Sequence, residues 1–356
     1  MRTIPVKIWI MICSVFLLNG CWDTKDINHR SLPIVMGVSM FGDQYKIHLQ
    51  IPDPDPDTMQ VKIVTEMGET VSKAVDKISA NMESRIDLLH VKVIVIDKEL
   101  AKKGVKDLIS GFMRAREVSP KALIVVSDEE IEPFFTHLKK TTDPQGTTLF
   151  DFFDKDAGWN PQIALTRVWQ VYRSIHSYTR DVAVPIIKSG DSTGVEHLGS
   201  AVIKNGKMVE RIETDETLLV NAFYEESTYG KVEVMDEATV MIVNNTMKHN
   251  SEIIDQIPYL NSQLHLKVVL LETKGNPTEK EIRASLEKLL TNRFNEMFTK
   301  IQESEADILG VGQYFRTKIQ REKLKNWRSK QYPNLKMDFQ VHVVIQNEGQ
   351  LKLVAD

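Results

Sequence analysis

Gly190-Asp191-Ser192-Thr193-Gly194 matches G-x-S-x-G, the pattern in which a serine on a tight strand-to-helix turn becomes a nucleophile. That chemistry needs a helix behind the serine to shape the oxyanion site. A strand precedes the motif, but residues 199–206 behind it also read as strand. A Gly/Ser linker is therefore expected, and a surface hydrolase using Ser192 is the competing reading. Asp53, Asp55 and Asp57 imitate the opening of a calcium loop. Such a loop needs Gly at its sixth position and Glu at its twelfth, and here these are Thr58 and Val64. The nine histidines include no pair four residues apart and no H-E-x-x-H. Gly310-Val311-Gly312 begins a dinucleotide fingerprint, but Phe315 occupies the third glycine position, so the segment reads as a helix stop. No P-loop is present. No metal, cofactor or catalytic constellation is expected.

Cysteine points elsewhere. The chain has two, Cys13 and Cys21, which excludes a disulfide framework and every four-cysteine metal site. Arg2 and Lys7 precede an apolar run over residues 8–18. That run is too short for a helix to cross a bilayer, which takes about 20 residues, but it suits the core of a signal peptide. It closes in Leu18-Asn19-Gly20-Cys21, which resembles the lipobox of bacterial lipoproteins. There the cysteine sulfur receives diacylglycerol and the leader, here 1–20, is removed. An ordinary secretory leader or an uncleaved anchor is the alternative. Removing residues 1–20 takes the charge from −4 to −6, with 43 basic and 49 acidic residues remaining. A chain so charged is not drawn to an anionic bilayer, so acyl chains would have to hold it there. The same balance argues against nucleic-acid binding.

With 356 residues, 42% apolar and 26% charged, the composition is that of a globular chain of two or three domains. Strands are expected over 32–41, 44–51, 60–65, 91–96 and 122–126. Helices are expected over 69–82, from 97 to about 115, and behind Asp128 as a possible cap. This alternation predicts α/β layers. A helix of about eighteen residues is expected from Pro161, then a strand over 182–187 whose Pro185 implies an edge. Asn205-Gly206 signals a hairpin, with further strands over 231–235, 238–243 and 263–271. Thr278 and Glu281 form a capping box for a helix with Ile282, Leu286, Leu289, Arg293, Met297 and Ile301 on one face. A second helical stretch is expected over 314–327, and a closing strand over 338–345. The fold class is α+β, mixed α/β. The units are 1–20 as signal peptide, 22–188 as an N-terminal α/β domain, 196–256 as a small hairpin-rich middle, and 258–356 with a long helix on a sheet.

Gly20-Cys21-Trp22-Asp23, continuing to residues 34–38, resembles the mature start of the Ger(x)C family, the C-subunit lipoproteins of bacterial spore germinant receptors. Residues 306–312 with Trp327 behind them resemble that family's D-x-L-G-x-G…W segment. Residues 90–94, 199–203 and 339–349 also fit, in order through nearly the whole chain. Val311 stands where an aromatic is usual, and Ser200 where threonine is commoner. The resemblance implies a non-enzymatic, three-domain lipoprotein on the outer face of the spore inner membrane, beside polytopic A and B subunits. That complex answers small nutrients and starts germination. Asp307, Gly310 and Gly312 are candidates for either a structural corner or a docking point for a partner subunit. A lipid-anchored substrate-binding protein of a transporter is the alternative, and would need two similar lobes around a cleft.

Overall fold

The computed structural model describes residues 30–52, 61–141, 148–154 and 160–346. The leader, Cys21 and Asp53, Asp55 and Asp57 lie outside them.

Ten strands come first: β1 (Arg30–Ser31), β2 (Val35–Phe41), β3 (Gln44–Pro52), β4 (Val61–Gly68), β5 (Arg85–Ile86), β6 (Val93–Asp97), β7 (Leu123–Ser127), β8 (Val182–Ser189), β9 (Val195–Lys204) and β10 (Lys207–Ile212). Eight of them form one sheet in the order β10-β9-β8-β7-β6-β2-β3-β4, while β1 and β5 pair separately. β2, β6, β7 and β8 run parallel in the centre, and antiparallel hairpins complete both edges. Parallel strands are buried on both faces, which is why β6 and β7 read as unbroken apolar runs. Ile94 and Ile96 point into one core with α1 (Val71–Ala80), α2 (Lys98–Lys103), α3 (Lys106–Ala115) and α6 (Val168–Ile175). Val93 and Val95 point into the other, against α4 (Ile131–Thr141) and α5 (Thr148–Phe153).

The second sheet has the order β11 (Val232–Val234), β12 (Ala238–Ile254), β13 (Ile257–Thr273), β14 (Lys336–Gln346). One face is covered by α8 (Glu279–Glu303), whose N-terminus carries the expected box: Glu281 N donates to Thr278 Oγ1 at 3.3 Å, and Thr278 N to Glu281 Oε2 at 2.8 Å. Phe294 of α8 stacks on Phe339 of β14 with centroids 3.6 Å apart. Between the sheets lies α7 (Thr214–Phe223), buried from Glu216 to Phe223. A single core holds its apolar side chains together with Ala183, Val202 and Ile212 of the first sheet and Leu290, Phe294 and Met297 of α8.

The class is mixed α/β, as the sequence predicts, but several expected boundaries and elements move. Residues 190–194 are not a linker between units. They turn the chain from β8 into β9, which pair antiparallel from Ser189↔Val195 to Val182↔Ile203. The expected middle unit 196–256 is shared out: β9 and β10 finish the first sheet, and β11 and β12 begin the second. The expected cut at 258 falls inside the β12–β13 hairpin, where Ile253 faces Pro258. Pro185 is not on an edge. β8 is interior, the β8–β9 register shifts between Pro185 and Ile187, and the β7 ladder starts only at Ile186, so the missing N–H falls at an irregularity. The eighteen-residue helix shrinks to α6, because the backbone before it serves β7: Ile124 N donates to Thr166 O, and Val168 N to Ala122 O. Asp128 does not cap a helix; its carboxylate accepts from Lys98. On α8 the core stripe runs through Leu290 and Phe294, not Leu289 and Arg293. Arg293 instead donates to both oxygens of the buried Glu233 on β11, at 3.0 and 3.1 Å.

The shared sheet generates a test. A fragment ending at 188 loses β9 and β10, which strips one edge of β8. It should aggregate on gel filtration, and residues 189–195 of the intact soluble chain should resist limited proteolysis. A monomeric, protease-resistant 22–188 fragment would contradict this sheet assignment.

Candidate functional site: a buried carboxylate corner between the sheets

The chain leaves α8 at Ser304, turns through Glu305 at φ 54°, and enters Ala306-Asp307-Ile308-Leu309-Gly310. Asp307 has no solvent-accessible surface. Its Oδ1 accepts from Val311 N at 2.7 Å, and its Oδ2 from Gly312 N at 2.8 Å and Trp327 Nε1 at 2.9 Å. Val311 and Gly312 open the 3₁₀ turn Val311–Phe315. Their amides have no partner within the turn, so a carboxylate is well matched to them. Gly310 takes φ 62°, and an added Cβ would lie 2.9 Å from Arg180 Nε. At Gly312 a Cβ would lie 2.7 Å from the Trp327 ring and from Thr179 Cβ.

A second buried carboxylate binds the corner to the first sheet. Asp181, just before β8, donates its N–H to Asp307 O at 2.8 Å and accepts from Asp307 N on Oδ2 at 3.0 Å. Arg328 closes a bidentate pair with it, Nε to Oδ2 and Nη2 to Oδ1, both at 2.8 Å. Asp181 Oδ1 also accepts from Asn205 N, so the tip of the β9–β10 hairpin is held as well. Asn205 and Gly206 have φ 48° and 80°, the two left-handed residues of a tight hairpin turn. Tyr224 Oη donates to Ile308 O at 2.6 Å, and Gln313 Nε2 to Thr179 O at 3.1 Å.

Burial pushes the Asp307 carboxyl up to about 7; the Gly312 and Val311 amides hold it down, the charge of Asp181 raises it, and the Trp327 indole lowers it again. The 314–327 stretch expected as one helix is broken into the 3₁₀ turn, α9 (Arg321–Leu324) and a wide turn at Trp327–Gln331. A continuous helix would hold residues 315 and 327 about 18 Å apart, whereas their rings stack with centroids 5.4 Å apart. Trp327 must fold back to reach Asp307.

The structure thus brings Asp307, Gly310 and Gly312 together, adding Asp181, Arg328, Thr179 and Tyr224, which sequence reasoning missed. No spacing rule pairs an aspartate with an arginine 147 residues away. Asp307 presents no atom at the surface, so of its two candidate roles the geometry favours the corner. Ser192 sits on an exposed turn followed by β9, without the helix a nucleophile elbow requires. Among the described residues no three His, Cys, Asp or Glu side chains form a group that could hold a metal. His48 hydrogen-bonds Thr65, His249 bonds Ser262, and His265 stacks on His342. Burial pushes the His48 and His197 imidazoles down to about 4.

Fold and corner define a mixed α/β protein of two sheets fused through one core, whose most constrained polar groups are spent on joining them. The model of the spore germination protein N-terminal domain matches residues 23–189, and that of the spore germination B3/GerAC-like C-terminal region matches residues 198–349. The chain belongs to this spore germination family. It is 22% identical to spore germination protein KC of Bacillus subtilis, over 96% of this chain and 95% of that one. Spore germination protein B3 of the same organism is 23% identical, over 81% and 80%. The crystal structure of the GerBC protein shares the fold, with a TM-score of 0.58 and 17% identity over 88% of this chain and 97% of that one. These descriptions name germination and no catalysed reaction.

Two predictions follow from the corner. Asp307→Ala leaves three buried donors without an acceptor and should cost about 2–4 kcal/mol in chemical denaturation. Gly312→Ala, which forces a methyl into the indole, should cost about 1–3 kcal/mol. Either substitution leaving the denaturation midpoint unchanged would remove the corner's structural role. The second prediction concerns pH. The folded chain binds the Asp307 proton more tightly than an unfolded aspartate, whose value is about 3.9. The stability this group contributes is complete below about pH 4 and is lost as pH rises through about 7. Asp307→Asn cannot titrate, so the wild type should lose stability relative to it over that window. A pH-independent difference would contradict the assignment.

Proposed function

We propose that the chain is a lipid-anchored, non-enzymatic subunit of a nutrient germinant receptor, attached through Cys21 to the outer face of the spore inner membrane beside polytopic A and B subunits. The observation that carries the reading is the match of both family models, in order, along residues 23–349. The lipobox-like Leu18-Asn19-Gly20-Cys21 supplies the anchor. Among the described residues no helix is long and apolar enough to cross a membrane. Two acyl chains on one cysteine suffice for stable anchoring where a single chain does not. The substrate-binding alternative needs an open cleft between lobes. The junction here is filled instead by Trp327, Tyr332, Phe223 and Phe294, all fully buried. Contact with partner proteins, not ligand capture between lobes, is the mode of action this packing supports.

Labelled palmitate should enter the wild-type chain and not Cys21→Ser, and the mutant should leave the membrane fraction. The wild type should co-purify with the polytopic subunits from spore membranes. Equal labelling of both forms would remove the anchor, and failure to co-purify would remove the receptor reading.

A further inference from the structure

Beside the corner lie two arginines that it does not consume. Partial burial, and then the nearby charge of Arg180 before β8, push the guanidinium of Arg173 on α6 below its ordinary range. Among the described residues neither forms an ion pair with a carboxylate, whereas nearby Arg328 is fully engaged by Asp181. Arg180 Nε is buried with no hydrogen-bond partner. Both guanidinium groups lie over aromatic rings: Arg173 is 4.8 Å from the Trp169 centroid and Arg180 is 5.9 Å from that of Tyr224. Tyr314 lies within the field of Arg180. Trp169, Tyr224 and Tyr314 are 37–40% exposed, although aromatic surface is costly to leave in water. Asp307 is fully buried and accepts from Val311 N, Gly312 N and Trp327 Nε1, and no ion pair joins either arginine to the exposed Glu225, whose Oε1 accepts from Met247 N at 3.4 Å.

We propose that Trp169, Arg173, Arg180, Tyr224 and Tyr314 form a docking surface for a carboxylate-bearing loop of a partner protein. A guanidinium stacked on a ring is already oriented, and its edge donors remain available for a carboxylate. Tryptophan, tyrosine and arginine are the residues on which interface energetics concentrate. The platform is rigid: Tyr224 is tied to Ile308 O, and Gly310 gives Arg180 room that any side chain would take. Charge adds specificity. A net negative chain repels an acidic loop over most of its surface and attracts it where unpaired arginines gather. Under the receptor reading above, on which this assignment rests, the loop is an acidic segment of a membrane subunit on the exported side.

The test uses the full-length chain in membranes with the A and B subunits. A photo-crosslinker replacing Trp169 should yield an adduct on an acidic segment of one of them. Arg173→Glu should lower adduct yield and co-purification by about tenfold or more. Its melting temperature should stay within about 2 °C of the wild type, because Arg173 is exposed. Reversing a carboxylate of the cross-linked segment to arginine should restore the complex. If the wild type co-purifies and Arg173→Glu does so equally, this surface is wrong and the receptor reading stands. If the wild type does not co-purify, the receptor reading falls and takes the assignment with it. Arg173-dependent binding of the soluble chain to phosphatidylglycerol vesicles would overturn the proposal in favour of a lipid surface.

Discussion

Two carboxylates without solvent, Asp181 and Asp307, set the terms for the rest of the molecule. A buried charge is tolerated only where donors surround it, and here the donors come from five places: the hairpin tip at Asn205, the 3₁₀ turn at Val311–Phe315, Trp327, Arg328, and the aspartates' own backbones. Arg328 and the Asp307 amide reach Asp181 from 147 and 126 residues away in the chain. Satisfying the two aspartates therefore requires both sheets to be in place at once. Apolar packing alone could bring the sheets together in more than one way, because burial of area has no direction. The hydrogen bonds to Asp181 and Asp307 have direction, and they select one arrangement.

The shared core answers to the same constraint. α7 is buried on all sides from Glu216 to Phe223: the first sheet covers one flank and α8 another. Its buried polar groups find partners on the elements around it. Asn221 donates to the carbonyls of Pro161 and Ile163, Thr217 meets Ser200, and Glu216 pairs with Lys300 of α8 at 2.6 Å. Such a helix ties the layers together at several points, and sliding one sheet over the other would break these contacts as well as the corner. The two-sheet body is consequently one mechanical unit.

What was legible in the sequence follows the range of the interactions involved. The capping box of α8 and the Asn205-Gly206 hairpin are set by residues within a few positions of one another, and both read correctly. α7 was invisible for a related reason: a helix buried all round has no amphipathic stripe to reveal its period. The Gly/Ser run at 189–194 was misread because a hairpin turn and a linker share a composition. What separates them is whether the flanking strands pair, and that depends on Val182 meeting Ile203. At the candidate site, Asp307 and its glycines stood out through the family resemblance. Asp181 and Arg328 did not, since a pairing across the fold leaves no trace in one sequence.

A rigid body with a filled junction restricts how such a protein can act. Ligand-driven closure of two lobes needs a hinge and a cleft, and the corner removes the first while the aromatic core removes the second. Under the proposed attachment at Cys21, Arg30 lies nine positions after the anchor, a covalent reach of at most about 32 Å. The body is then held close to the bilayer, near any membrane-embedded partner. Tethering raises the effective concentration of such a partner, so a modest surface suffices for a lasting complex. An arginine–aromatic platform built on the junction itself would report to that partner on the integrity of the whole fold, because Gly310 and Tyr224 position the platform and complete the corner at the same time.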